Sequence, residues 1–286
     1  MRLGDDQVKG YLQDGYLFFP GIFAEEEIDA LQAETRRMSA MDIPQRVLEE
    51  EGDLVRTIYG SHDISDLFGR LVRDPRALEP ARQLLDGDVY VFQTKLNPKA
   101  PIRGDVWEWH QDFVYWSRDD GMPRPDVVNV AVFLDDVTEF NGPLFVIPGS
   151  HHSVLDEDTM TLREGWWSGR HAHTADGRHK LEREALARMV DRHGLVSVTG
   201  RRGSVCLFHP CLLHASPPNL APYFRTMIFI RYCGVTNVLK PMSRPRPEWL
   251  ACRRPLPVRP LDEPMLAVAA AAGSSTGRAP NGAMDH

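Results

Sequence analysis

From Asp88 onward the chain is a succession of short apolar or alternating segments, each stopped by Gly, Pro, Asn or Asp. DVYVFQTKLN, VVNVAVFLDDV (127–137), the LFV of NGPLFVIPGSHH, GSVCLFH and TMIFIRY are rich in Val, Ile, Phe and Tyr. Short segments of that composition predict strands rather than helices. Helical spacing comes earlier. Ile28, Leu31, Thr35 and Met38 follow the acidic AEEE, and Ile64, Leu67, Phe68, Leu71 and Val72 repeat at helical intervals. Pro75 ends that second helix, and a third short one runs to Asp86-Gly87. LEREALARMVDRHG reads as a later helix closed by Gly194. Helices followed by punctuated strands predict a mainly β fold: a closed or double-layered antiparallel core with helices packed outside.

One domain over residues 1–263 is the economical organisation, with a small-residue, polar tail at 264–286 expected to be disordered. The segment 155–180 is irregular and polar, and its Trp166 and Trp167 are candidates for a lid. A net charge of -7 argues against a nucleic-acid binder, which needs a basic face. No apolar run approaches the ~20 residues that span a bilayer. The start MRLGDDQVKG is acidic and polar rather than signal-like, and no CxxC pair occurs among the four cysteines. Reduced thiols in a cytoplasmic protein are the expectation.

The chemistry concentrates in WEWHQDFVYW (107–116). Read as one aromatic strand, it places Glu108, His110 and Asp112 on a single face, because i and i+2 project together. His110 and Asp112 then either satisfy each other or hold something between them. Joined by a distant His, they make a two-His, one-carboxylate set with open positions, a geometry of non-haem Fe(II) oxygenases. His209 and His214 in FHPCLLHASPPNLAPYFRTMIFIRY are the candidates for the third ligand. Arg225 opens the next strand on the same face as Met227 and Phe229, where a cation suits a carboxylate.

The combination W-x-W-H-x-D-F, DGMPRP, NGPL-x-V-x-PGSH and L-x-H-x-S-x-x-N, with Arg225 eleven residues after His214, resembles the phytanoyl-CoA hydroxylase superfamily. The likeness runs from DGYLFFPGIF to about Tyr232 and is nearest to bacterial free-amino-acid hydroxylases of the L-proline trans-4-hydroxylase type, with ectoine hydroxylases more distant. RTIYGSH, GDVYVFQTKLNPKAP and DGMPRPDVVNVAVFLDD carry it. Glu108 stands where the proline enzymes are expected to have Pro, and 155–180 does not follow them.

The resemblance implies a double-stranded β-helix, or jelly roll, using Fe(II), 2-oxoglutarate and O2 to hydroxylate an unactivated C–H bond, with succinate and CO2 as products. It implies His110, Asp112 and His214 as metal ligands, and His209 is set aside. Arg225 is implied as the anchor of the distal carboxylate of 2-oxoglutarate, with Ser216 as a second donor. The carboxylate of Asp112 also separates the chain from related halogenases, which lack it. Gln93, Lys95 and Asn97 are expected to face the pocket together with Val91, Lys95 meeting a carboxylate of co-substrate or substrate.

Arg118 is a candidate for the substrate carboxylate, Trp116 for an apolar wall, and Arg56, Tyr59 and His62 for closing the pocket from outside the barrel. Glu108 either recognises a substrate amine or sits at a solvated strand end. The expected substrate is a small amino or imino acid, proline or pipecolate favoured. Another zwitterion, an aliphatic amino acid or a carrier-bound intermediate is the second reading, and a non-catalytic metal-binding β-barrel the third. Nothing in the sequence sets the oligomeric state.

Overall fold

A computed structural model of the chain describes residues 1–49, 53–153, 160–162 and 179–266. Its helices are α1 (Asp5–Asp14), α2 (Glu25–Ser39), α3 (Ser61–Ile64), α4 (Asp66–Leu71), α5 (Pro75–Leu84), α6 (Asp112–Asp120) and α7 (Arg183–His193). The strands begin with β1 (Tyr16–Phe19), β2 (Arg46–Leu48), β3 (Val55–Tyr59), β4 (Val89–Lys99), β5 (Trp107–His110) and β6 (Val127–Phe133). They continue with β7 (Leu144–Val146), β8 (Met160–Leu162), β9 (His179–Leu181), β10 (Val196–Val198), β11 (Val205–Phe208), β12 (His214–Ser216) and β13 (Arg225–Gly234). One sheet runs β1-β11-β6-β13-β4-β3-β2, a second β10-β7-β12-β5, and β8 pairs with β9.

Period-two alternation decides what each face of the large sheet meets. Val128, Val130 and Val132 of β6 and Ile228, Ile230 and Tyr232 of β13 pack with Ile28, Leu31, Phe68 and Leu78 of the helices. Burying each such side chain stabilises by roughly 1.5–3 kcal/mol, so the helix layer fixes which face of β13 is turned inward. The intervening residues Ala131, Phe133 and Met227 pack instead with Val146 of β7, Val198 of β10 and Phe208 of β11. Helices thus cover one face of the large sheet and the small sheet covers the other. This is the expected jelly roll. No described helix is long and apolar enough to cross a membrane.

Several expectations are corrected. The stretch 107–116 is not one strand: β5 stops at His110, and α6 starts at Asp112. Phe113, Val114, Tyr115 and Trp116 are all buried, so the helix has no polar face to reveal its period. Its end is marked as helix ends usually are, by Gly121 at φ 74 whose N–H bonds back to Trp116. The helix expected over Ile64–Val72 is broken at Ser65, whose hydroxyl accepts from Phe68 N and starts α4.

Val91 does not share a face with Gln93, Lys95 and Asn97. The β13–β4 register slips between Arg231, opposite Gln93, and Tyr232, opposite Val91, so the bulge inverts the alternation. Val91 therefore packs toward the helices, while Phe92 turns in toward Trp116. Packing also continues past the expected boundary at 263. Met265 is buried, and Arg70 donates to the carbonyls of Pro264 and Met265. The rest of the tail, and Trp166 and Trp167, lie outside the described residues. No disulfide joins the cysteines; Cys206, Cys211 and Cys233 are buried and Cys252 half-buried.

Candidate active site

His110 and His214 are cross-strand partners at the junction of β5 and β12. Asp112 comes two positions after β5 ends, as the first residue of α6. The turn between them is held by Gln111, whose amide donates to the carbonyls of Cys211 (2.6 Å) and Ser153 (2.8 Å). Sheet pairing and a strand-to-helix turn thereby bring one ligand atom from each of the three residues within 4.8 Å of the others.

Each imidazole is braced by its own strand. His110 Nδ1 donates to Glu108 O at 2.6 Å and His214 Nδ1 donates to Leu212 O at 2.8 Å. A carbonyl only accepts, so the proton lies on Nδ1 and the Nε2 lone pair is free for a metal. Those Nε2 atoms stand 3.7 Å and 3.9 Å from the two carboxylate oxygens of Asp112, too far to bond and close enough to share an ion. Asp112 Oδ2 is buried without a hydrogen-bond partner, which is costly unless a cation meets it. Burial pushes the Asp112 carboxyl up, but Arg231 and the two His outweigh it and hold it below the usual carboxylate range. Burial and His110 pull His214 down to about 3, so it stays neutral and able to ligate. The donor set fits Fe(II) with open positions. His209 stays apart, its Nδ1 accepting from Cys211 N, as its rejection requires.

Beside the triad lies a partly open pocket, lined along β13 by Arg225, Met227, Phe229 and Arg231. At the Arg225 end the polar groups interlock. Arg225 donates to Ser216 Oγ (3.0 Å) and Asn97 Oδ1 (3.3 Å). Lys99, in register opposite Arg225, donates to Ser216 Oγ (2.7 Å) and Pro217 O (2.5 Å). The single proton of Ser216 goes to Gly142 O at 2.9 Å. Ser216 therefore braces the Lys99 and Arg225 side chains by accepting from both, rather than acting as the second donor expected of it.

Burial draws Lys99 well below its ordinary value, with Arg225 and Arg56 adding to the effect. Burial also draws Arg225 down to about 9, which leaves it charged at neutral pH. Gly142 is required here: at φ +81, a Cβ would lie 2.7 Å from both Lys99 Cδ and Pro217 O. Gly142→Ala is expected to cost roughly 1–2 kcal/mol of stability through the left-handed backbone. It should also raise the KM for 2-oxoglutarate by about tenfold, equivalent to ~1.4 kcal/mol, while iron content, assayed by metal analysis, is retained.

The other sequence candidates divide. Asn97 and Lys95 line the cavity, and the Lys95 ammonium sits 3.1 Å from the centre of the Trp107 ring. Gln93 is buried but turns its amide to Leu250 O at 2.5 Å. Arg56 bonds Glu49 (2.9 Å) and Val106 O (2.9 Å) and stacks on Trp107. Tyr59 packs against Trp249, and His62 bonds Thr94, whose strand position faces away from the cavity. The structure thus gathers Arg56, Tyr59 and His62 along the β3–β4 edge rather than in the cavity lining.

Trp116 is a core aromatic against Phe92, with the Arg231 guanidinium 5.5 Å from its ring. Arg118 is half-buried in the last turn of α6, away from the cavity lining. Glu108 lines a neighbouring groove with Trp109, Leu186 and Pro217, its parity with His110 notwithstanding. Sequence reasoning missed Lys99, Asn129 and Arg231. Strand parity carried two residues past Asn97 and Phe229 would have found the first and last.

Open positions on a buried His-Asp-His set, facing a cavity with a guanidinium at its end, place the molecule among mononuclear non-haem iron oxygenases. The chain belongs to the phytanoyl-CoA dioxygenase (PhyH) family, whose model matches residues 11–227. It is 40% identical to the L-proline trans-4-hydroxylase of Streptomyces griseoviridis over 253 residues, covering 88% of this chain and 94% of that enzyme. Identity to the ectoine dioxygenase of Bordetella parapertussis is 36% over 273 residues, covering 91% and 86%. The crystal structure of EctD from S. alaskensis with 2-oxoglutarate and 5-hydroxyectoine superposes with a TM-score of 0.79 at 32% identity, covering 92% and 89% of the two chains. The same enzyme has also been solved with bound Fe. This chain is accordingly an Fe(II)- and 2-oxoglutarate-dependent dioxygenase.

Proposed function

We propose that the enzyme hydroxylates an unactivated C–H bond of a free amino or imino acid, proline or its ring homologue pipecolate favoured, from a single domain. The observation that carries the substrate class is the likeness to the proline hydroxylase over nearly its whole length. Ectoine hydroxylation is the second reading, favoured by the likeness to EctD.

Iron(II) and 2-oxoglutarate supply, when bound, O2 activation coupled to decarboxylation to succinate and CO2, and transfer of one oxygen atom to the C–H bond. His110 and His214 would hold the metal through Nε2 and Asp112 through its carboxylate. Arg225 takes the distal carboxylate of 2-oxoglutarate, aligned by Asn97 and Ser216, with Lys99 behind them. Met227, Phe229 and Phe208 wall the cavity and keep water from it. No side chain acts as general acid or base, since both Nδ1 protons are committed to backbone carbonyls. Trp116, packed against Phe92, backs the Arg231 guanidinium from the core. Arg56, Tyr59 and His62 act indirectly, through the edge of β4.

A mass-spectrometric screen tests this. Protein with Fe(II), ascorbate and 2-oxoglutarate is incubated in air with proline, pipecolate, leucine, citrulline and ectoine. A 2-oxoglutarate-dependent gain of one oxygen on proline or pipecolate is expected. Oxidation of ectoine alone moves the assignment to the second reading, and succinate without any oxidised amino acid rejects both.

A further inference from the structure

Arg231 is buried on the inward face of β13, with Nε and Nη1 lacking any hydrogen-bond partner. Its ion pair to Asp112, Nη2 to Oδ1, is 3.8 Å long and too far for a hydrogen bond. Asn129 is its cross-strand partner on β6, fully buried, with Oδ1 and Nδ2 both unpartnered. Two adjacent polar side chains with so many orphaned atoms are expensive to bury, and a polar ligand that reaches both removes the cost. The guanidinium is also aimed, lying 5.5 Å from the Trp116 ring centre and 5.7 Å from that of Phe229.

An arginine beside a metal ligand has a plainer use, holding Asp112 in place. That use leaves Nε, Nη1 and the whole Asn129 amide unexplained. A metal dication on Asp112 would, moreover, take that carboxylate away from Arg231 and leave the cation wanting another anion.

The anion is a carboxylate from either of two sources. The distal carboxylate of 2-oxoglutarate is excluded by distance. Arg225 and Arg231 are six residues apart on one strand, roughly 20 Å of backbone, so they approach the triad from opposite ends. We infer that Arg231 and Asn129 form the subsite for the substrate carboxylate, with Trp116 and Phe229 against the apolar body of the same molecule. Arg231 donates to the carboxylate. Asn129 donates to it through Nδ2 and offers Oδ1 to the neighbouring primary or secondary ammonium group. The remaining source, the 2-oxoglutarate carboxylate nearest the metal, is distinguished by experiment. This subsite rests on the amino-acid reading above and specifies how that substrate is recognised.

The test pairs a ligand deletion with a protein deletion. Anaerobic holoenzyme loaded with Fe(II) and 2-oxoglutarate is titrated calorimetrically with L-proline and L-prolinamide, and with L-pipecolate and its amide. Wild type should prefer the acid by about 100-fold, the size expected when charge-assisted hydrogen bonds are lost. Arg231→Gln should abolish that preference while binding 2-oxoglutarate within about threefold of wild type, which also shows that it has folded. Arg231→Lys should keep part of the preference and Asn129→Ala should reduce it.

Preserved acid-over-amide preference in Arg231→Gln overturns the inference. Weakened 2-oxoglutarate binding with that preference intact assigns Arg231 to the co-substrate instead. Loss of iron with that preference intact makes it only a positioning residue for Asp112. If wild type binds none of the four ligands, the amino-acid reading itself fails and the subsite with it.

Discussion

Asp112→Ala is expected to lower hydroxylation by more than about 100-fold, the upper end of what losing even an outer partner of a metal ligand costs. The reason is geometric. Asp112 brings the one carboxylate in a set whose other donors are imidazoles, and its two oxygens lie 3.7 Å from His110 Nε2 and 3.9 Å from His214 Nε2. The stability effect has a sign as well. Removing Asp112 strips buried Arg231 of its nearby carboxylate, so the iron-free variant should melt somewhat below wild type. The decisive readout is therefore the rise in melting temperature on adding Fe(II), which wild type should show and Asp112→Ala should lack. An unchanged iron-dependent rise, or undiminished turnover, would remove Asp112 from the ligand set.

How far the sequence foretold this site depends on what kind of pattern each residue belonged to. Arg225, Met227 and Phe229 were legible because β13 is regular and alternates without interruption across them. His110, Asp112 and His214 were legible as residue types, yet their convergence was expected from the wrong local structure. A strand would have aligned His110 with Asp112 directly. In the molecule a cross-strand pair does that work for the two His, and a helix start does it for Asp112.

Aromatic residues buried on every side of α6 look like a strand to any periodicity argument, because no polar face breaks the pattern. The helix was announced only by its end, Gly121 with Pro123 beyond it. Bulges were the second obstacle. One at Arg231/Tyr232 inverts β4, which is why Val91 left the pocket face while Gln93 kept its place on it. Lys99 was hidden for another reason. Pro98 reads as the end of a strand, yet β4 continues through it, and the lysine beyond is buried against Gly104 and Gly142.

Arg225→Met should separate co-substrate binding from folding. Arg225 is almost wholly buried, its Nε is unpartnered, and the groups that accept from it, Ser216 and Asn97, are neutral. Arg225 forms no salt bridge among the described residues, and Asp135 attracts it only from beyond contact. Replacing it by an apolar side chain of similar volume therefore removes more desolvation penalty than attraction, and the free protein should melt at or above the wild-type temperature. On the role proposed for Arg225, the same change would remove two charge-assisted hydrogen bonds to the distal carboxylate, worth ~3 kcal/mol together, and so raise the KM for 2-oxoglutarate by about 100-fold. The KM for the amino acid should move by less than about threefold, since Arg231 and not Arg225 faces that substrate. Steady-state kinetics with each substrate varied in turn, beside thermal melts with and without 2-oxoglutarate, reads all of these quantities. A variant that melts far below wild type would mean that Arg225 holds the β13–β4 junction together. One that loses affinity for the amino acid but keeps it for 2-oxoglutarate would exchange the two ends of the cavity, placing the substrate carboxylate on Arg225 and the co-substrate on Arg231.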